Sequence, residues 1–200
     1  LIKAKHYFEK ASKNDIADSS FMLGFLYENG YGVQQNLLIA KNYYELSYKQ
    51  GNYSSLFKLG SLMINKNYYD VNIQKALKYF MHCTETNGEQ FVYEYDGFYN
   101  NAYNDGYYPS NNELGLMYLL FNKIYNIDTS IKYFKEALSG EYPFAQNNYG
   151  LVSQFYLNKK DDALYFYRKA SLNNFSLAEF NLGHLIEENE GIESAIQYYI

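Results

Sequence analysis

The sequence predicts an all-α fold, an α/α solenoid of stacked helix pairs, because two short motifs recur along its 200 residues. The first is a small residue followed three and four positions later by two aromatic rings. The second is a glycine that follows a leucine or, once, a tyrosine. Repetition at a fixed period of this length is typical of stacked repeat proteins. The first motif begins at Ala4, Ala40, Ala76, Ser130, Ala163 and Ala195, and the glycines are Gly24, Gly60, Gly115, Gly150 and Gly183.

The spacing between the two motifs is nearly constant. From the small residue to the following glycine it is 20 residues in four copies, for example from Ala40 to Gly60. The exception runs from Ala76 to Gly115, which is 39 residues and contains an insertion of about 19. A constant spacing of this kind indicates that the helix after the small residue and the helix before the glycine are joined by a short turn and packed closely together.

The segment after each small residue has the pattern of an amphipathic helix. Apolar residues fall at positions i, i+1, i+3, i+4 and i+7, which lie on one face of a helix. A left-handed residue is expected to end each of these helices, since glycine and asparagine adopt that conformation readily. The residues predicted for this role are Gly51, Gly88, Gly140 and Asn174.

The segment before each glycine is predicted to be the partner helix. A glycine inside a helix costs roughly 1 kcal/mol relative to alanine, so five of them in register imply close contact with a second helix. A small residue also lies five positions before each glycine, at Ser19, Ser55, Ser110, Ala145 and Ala178. We therefore interpret one set of residues as structural packing positions: Gly24, Gly60, Gly115, Gly150, Gly183, Ala4, Ala40, Ala76, Ala163 and Ala195.

These motifs divide the chain into three parts of one continuous solenoid. Residues 1–88 contain a leading helix to about residue 14 and repeats at 15–51 and 52–88. Residues 89–109 form a Tyr-rich insertion. Residues 110–200 contain repeats at 110–140 and 141–174 and a truncated repeat from 175. Because the chain begins without Met and stops inside a motif, we expect a fragment of a longer protein.

Composition disfavours several classes of protein. A net charge of −5 and a pI near 5.2 argue against a nucleic-acid binder, which would carry a basic face. No apolar stretch approaches the roughly 20 residues of a membrane span. The single cysteine, Cys83, rules out an internal disulfide framework and is expected to be a buried packing residue.

The insertion supports two hypotheses. Tyrosines interspersed with Asp and Gly form adaptable recognition surfaces, so the insertion is a candidate partner-binding site. Alternatively, its aromatic residues form a helical stripe that caps or bridges the solenoid. The tyrosines concerned are Tyr93, Tyr95, Tyr99, Tyr103, Tyr107 and Tyr108.

No motif for metal, cofactor or nucleophile chemistry is present. Asp96-Gly97 and Asp105-Gly106 lack the alternating ligands of a calcium loop. The three histidines, His6, His82 and His184, offer no zinc-binding pair. We expect no cofactor and no metal, and an enzyme with a site in the solenoid groove is the weakest of the functional alternatives.

The residues resemble the Sel-1-like repeat, a relative of the tetratricopeptide repeat. The resemblance is carried by Leu23-Gly24, Tyr27, Gly30-x-Gly32-Val33, Ala40-x-x-Tyr43-Tyr44 and Gly51. It implies a right-handed α/α superhelix whose concave surface holds partner proteins, without chemistry of its own.

A finer resemblance is to the lumenal adaptor of the Hrd-type ubiquitin ligase in endoplasmic-reticulum-associated degradation. It is carried by residues 76–85 and 136–148 and by the interruption between the repeats. It implies two partners, the membrane-embedded ligase subunit and misfolded proteins, and a location in the endoplasmic reticulum lumen. The alternative is a generic repeat scaffold in another multiprotein complex.

Overall fold

The computed structural model describes residues 2–65, 67, 71–86 and 107–199, and these residues form helices without any strand. The chain divides into two compact units, Leu1–Ser110 and Asn111–Ile200. Residues 87–106, which include most of the insertion, lie outside the described residues. The all-α prediction is confirmed.

The first unit contains five complete helices, each packed against the next along the described chain. A sixth helix, α6, begins in this unit and continues into the second. Their bounds are α1 Ile2–Ser12, α2 Ala17–Asn29, α3 Leu37–Lys49, α4 Ser54–Ile64, α5 Ile73–Glu85 and α6 Tyr107–Leu120.

The second unit continues the same arrangement. From α7 onward, consecutive helices pack against each other, and a short 3₁₀ turn, Ile196–Tyr198, follows the last one. The helices are α7 Ile127–Leu138, α8 Pro143–Phe155, α9 Lys160–Leu172, α10 Ser176–Glu190 and α11 Ile192–Ala195.

Each recurrent glycine lies against the second aromatic ring of the motif that follows it. A β carbon on Gly60 would sit 2.6 Å from the Phe80 ring, and one on Gly150 would sit 2.6 Å from the Tyr167 ring. Real β carbons do not approach other atoms this closely, so only glycine lets the two helices come together here. The same contact joins Gly24 with Tyr44, Gly115 with Phe134 and Gly183 with Tyr199.

The second ring also determines the residue four positions after the glycine. Where the ring is a tyrosine, that residue accepts a hydrogen bond from the tyrosine hydroxyl. Tyr167 donates to Gln154 Oε1 at 2.9 Å. Burial, with a smaller effect from Glu188, raises the pKa of the Tyr167 hydroxyl, so it stays a donor. The pairs Tyr44–Glu28 and Tyr199–Glu187 repeat this bond. Where the ring is Phe80 or Phe134, the residue four positions after the glycine is apolar, Ile64 or Leu119.

Asparagine begins three of the helices that carry the aromatic pair. The side chain of Asn36 accepts from the Ile39 amide at 3.0 Å, which satisfies a donor that the helix leaves unpaired. Asn72 and Asn126 cap α5 and α7 in the same way. All three lie four residues before the small residue of the first motif.

The left-handed residue that ends each of these helices is only partly where the sequence predicts it. Gly51 and Asn174 have positive φ, of 105° and 58°. At the end of α7 the prediction of Gly140 is wrong, because the left-handed residue is Glu141, with φ of 56°. Asp15, with φ of 59°, occupies the same position after α1. The position is therefore set by helix length, and Gly88 lies outside the described residues.

We expect Gly60→Val to destabilise the first unit. The added β carbon would meet the Phe80 ring, and overpacking of this kind costs about 1–3 kcal/mol, although Val is no worse a helix former than Gly. The measurement is urea unfolding followed by circular dichroism. Lys78→Val, at an exposed position of α5, is the control, and an unchanged midpoint for Gly60→Val would contradict the packing contact.

Glu141→Gly should stabilise the second unit by about 0.5–1 kcal/mol, since glycine adopts the left-handed conformation without the steric penalty of a side chain. Thermal unfolding measures the change. Glu141→Gln is the control, because it keeps the penalty and, like the glycine variant, removes the exposed 3.2 Å ion pair with Lys169, which contributes little. Equal melting temperatures for the two variants would refute the assignment.

Tyr167→Phe should cost about 0.5–1.5 kcal/mol, the usual value of one internal hydrogen bond. The double variant Tyr167→Phe/Gln154→Leu copies the Phe134 and Leu119 combination of the preceding repeat and should recover most of that loss. A double-mutant cycle from chemical denaturation gives the coupling. Strictly additive effects would show that ring and acceptor act independently.

Candidate functional site

The tyrosines of the insertion fall largely outside the described residues. This is the case for Tyr93, Tyr95, Tyr99 and Tyr103. Tyr107 and Tyr108 lie in the first turn of α6, half-buried, with their ring centroids 5.1 Å apart in an edge-to-face arrangement. Helix α6 thus begins three residues before the repeat start expected at residue 110.

The positions interpreted as packing residues have little surface to offer a partner. All five recurrent glycines are buried, and so are Ala40, Ala76, Ala163 and Ala195. Ala4 differs, because it is only half-buried. A binding surface must therefore be sought at positions where the repeats differ.

One such position is an aromatic patch in the second unit, formed by Tyr142, Phe144 and Phe175. The rings of Tyr142 and Phe144 are stacked with centroids 5.2 Å apart, and Phe144 contacts Phe175 at 4.6 Å. Phe144 remains 48% exposed. Leu177, which occupies the register of Phe144 one repeat later, is 53% exposed.

Two of the three corresponding positions in the first unit are polar. Asp18 is the counterpart of Phe144 and Asn52 is the counterpart of Phe175, whereas the counterpart of Tyr142 is Ile16, which is 50% exposed. The side chains of Asp18 and Asn52 form a hydrogen bond, with Asn52 Nδ2 donating to Asp18 Oδ1 at 2.9 Å. Stacking of repeats is therefore compatible with polar residues at the positions of Phe144 and Phe175, and the fold does not require these two rings.

Polar groups border the aromatic patch. Lys169 Nζ lies 3.2 Å from Glu141 Oε1, and Asn173 donates to the backbone oxygen of Lys169 at 3.1 Å. Gln146, next to the patch in sequence, is buried, and its Nε2 donates to the backbone oxygen of Glu141 at 3.2 Å. An apolar centre with a polar rim is the usual composition of a protein–protein contact.

Amide side chains link three helices inside the second unit. Asn148 donates to Asn112 at 2.9 Å, and one repeat later Asn181 donates to Asn147 at 2.7 Å. Glu113 lies beside Asn112, and burial raises the pKa of its carboxyl, an effect that the Asn112 hydrogen bond partly offsets. These bonds fix the register between repeats.

The described residues contain no group of three or more His, Cys, Asp or Glu that could hold a metal ion. Tyr48 and His82 Nε2 share a hydrogen bond of 3.0 Å, and His82 Nδ1 lies 4.0 Å from Glu85. The side chains of His82 and Glu85 are 45% and 70% exposed, so these hydrogen bonds link α3 to α5 without enclosing a reaction site. Cys83 is buried.

Within the described residues, no helix is both long enough and apolar enough to cross a membrane.

Family comparison identifies the repeats. The model of the Sel1 repeat matches residues 1–16, 17–52, 54–80 and 143–175, more than half of the chain. The chain belongs to the Sel1 repeat family. Residues 110–140 lie outside these matches, yet α6 and α7 of this Sel1 repeat protein reproduce the glycine–ring contact through Gly115 and Phe134.

Solved structures share the fold over almost the whole chain. The protective antigen c5321 of uropathogenic Escherichia coli, which displays an SLR fold, has a TM-score of 0.78 at 18% identity. The match covers 97% of this chain but 39% of the antigen. A Sel1 repeat protein from Oxalobacter formigenes has a TM-score of 0.74 at 19% identity, covering 98% of this chain and 74% of its own.

A third structure, immunity protein Pa5087 from Pseudomonas aeruginosa, has a TM-score of 0.58 at 17% identity, covering 97% of this chain and 66% of its own. Identities this low establish the fold alone. No curated protein matches the sequence significantly.

Proposed function

We propose that this Sel1 repeat protein is a non-catalytic scaffold that binds another protein, and that the aromatic patch of the second unit is one of its contact surfaces. The observation that carries the proposal is the exposure of Phe144 where the first unit places Asp18. Exposed rings that the fold does not require are typical of interaction sites.

The fold comparison supports a scaffold without naming the partner. Solved structures with this fold include a protective antigen and an immunity protein, so one repeat architecture occurs in proteins of different roles. Function in such a family is decided by the surfaces that differ, since a fold alone does not specify it.

A narrower form of the proposal is an adaptor subunit of a Hrd-type ubiquitin ligase, bound to the ligase membrane subunit and to misfolded proteins. It rests on the resemblance of residues 76–85 and 136–148. Location in the endoplasmic reticulum lumen and co-purification of the ligase membrane subunit would support it. Exclusion from that compartment would refute it and leave the general scaffold proposal standing.

Phe144→Ser tests the contact surface. We expect proteins that co-purify with the wild-type chain to be lost, and a purified partner to bind about tenfold or more weakly, since a central aromatic contact contributes more than 1 kcal/mol. Quantitative mass spectrometry identifies the partner, and isothermal titration calorimetry measures its affinity.

The matched control is Phe155→Ser, at the other end of the same helix, where the side chain is 64% exposed. It should leave both the set of co-purifying proteins and the affinity unchanged. Circular dichroism must show both variants folded. Identical binding by wild type and Phe144→Ser would remove the aromatic patch from the proposal.

A further inference from the structure

Two apolar side chains on α9 are exposed at positions where the fold does not require them. Tyr165 and Leu172 lie two and nine residues after the small residue Ala163, and they are 56% and 84% exposed. The same two positions are exposed in α3, α5 and α7, where they carry polar residues. These residues are Asn42, Lys78 and Lys132 at the first position and Lys49, Glu85 and Ser139 at the second. Exposure is therefore a property of the position, and α9 alone among these four helices places apolar side chains there.

Exposed cations lie next to these side chains. Arg168 lies between Tyr165 and Leu172 in α9, at a spacing that puts the three side chains on one face of the helix. Lys132 and Lys135 occupy the positions of α7 that match Tyr165 and Arg168. Within the described residues, none of the three cations forms an ion pair. We call these five residues the basic patch.

The two helices of the basic patch are neighbours in the second unit. Both pack against α8, and Phe166 of α9 packs against the buried cluster that contains Phe134 of α7. Residues 127–172, which include both helices and α8 between them, all lie within the described part of the chain. The composition of this surface is therefore known in full.

The acidic residues nearest in sequence do not neutralise the basic patch. Lys169 reaches back from α9 to Glu141, which follows α7, at 3.2 Å. Glu136 is the counterpart of Lys169 in α7, so it faces the preceding repeat, away from α9. Asp161 and Asp162 lie in the first turn of α9, where carboxylates stabilise the helix dipole, and the arginine of the patch is about 10 Å further along the axis. The patch therefore presents a net positive charge.

We infer that the basic patch binds an acidic amphipathic α-helix of a partner protein. Carboxylates of such a helix would meet Lys135 and Arg168, since complementary charges select the partner at an interface. Tyr165 and Leu172 are seven residues apart, which is two helical turns or about 10 Å. An amphipathic helix repeats its apolar side chains at the same interval, so a helix lying along α9 would contact both. Tyrosine and arginine are also enriched among the residues that dominate binding.

An anionic lipid surface is the competing partner, because it also attracts cations. The unit that carries the patch, residues 111–200, has seven basic and eleven acidic residues and thus a net charge of −4. A membrane would repel most of that surface. A short helix contacts the patch alone and is little affected by exposed charges more than about 8 Å away. The acidic helix is therefore the favoured partner.

This inference deepens the proposed scaffold function and rests on it, since it adds a second contact surface and names the chemistry of the segment bound there. The aromatic patch and the basic patch share no residue, so each can be removed separately. Phe144→Ser removes the first, and Lys135→Glu/Arg168→Glu removes the second.

The experiment selects binders from a random hexadecapeptide phage library on the purified full chain. Selected peptides are synthesised, and fluorescence anisotropy gives their affinities for wild type and for Lys135→Glu/Arg168→Glu. Lys78→Glu/Lys123→Glu is the matched control, because it reverses two exposed lysines outside the patch and changes the net charge equally. Circular dichroism reports the helix content of each peptide, free and bound.

We expect the selected peptides to be rich in Asp and Glu and to become helical when bound. Lys135→Glu/Arg168→Glu should bind them about tenfold or more weakly than the matched control, because two attractive charge pairs become repulsive. Leu172→Ser should also weaken binding. Its side chain is too exposed for the substitution to affect folding, so this variant replaces the double variant if that one does not fold.

Failure to enrich peptides, selected peptides without an acidic bias, or equal binding by the double variant and its control would overturn the inference. Binding to phosphatidylserine vesicles that the double variant loses would assign the patch to a membrane instead. Self-association that the double variant abolishes would assign it to a second copy of the chain. Because the probes are synthetic peptides, the result is independent of whether co-purifying proteins respond to Phe144→Ser.

Discussion

The contact between a helical glycine and an aromatic ring is the constraint on which the rest of this structure depends. It occurs at five glycines, and each brings two helices closer than any other residue would allow. The residue four positions after the glycine varies with this ring: it is a hydrogen-bond acceptor where the ring is tyrosine and apolar where the ring is phenylalanine. Close packing at this point makes the repeat a rigid unit, so the surfaces between the contacts can vary.

The repeats differ from one another at these surface positions. At the edge where the first unit pairs Asp18 with Asn52, the second unit exposes Phe144 against Phe175. An array whose stability comes from neighbouring repeats can change these positions one repeat at a time, which is how one Sel1 fold acquires particular partners.

The fold could be predicted from the sequence because the glycines and ring pairs recur in register and their spacing is fixed by helix packing. The left-handed position of Glu141 was missed because glutamate rarely adopts that conformation. Counting eleven residues from Ser130, as from Ala40 to Gly51, would have found it. The pairing of Tyr167 with Gln154 was also readable by comparing copies.

The aromatic patch could not be predicted, because the exposure of Phe144 depends on how neighbouring repeats pack. The tyrosines at 93, 95, 99 and 103 remain candidate partner contacts outside the described residues.

The central claim is that repeated positions hold the fold and differing positions bind. The most direct measurement is a scan of all single substitutions with two readouts, the abundance of folded protein in cells and the binding of a partner identified by co-purification. Substitutions at the five glycines and their rings are expected to lower abundance, while those at Phe144 are expected to lower binding at normal abundance. Loss of binding confined to variants that also lose abundance would contradict it.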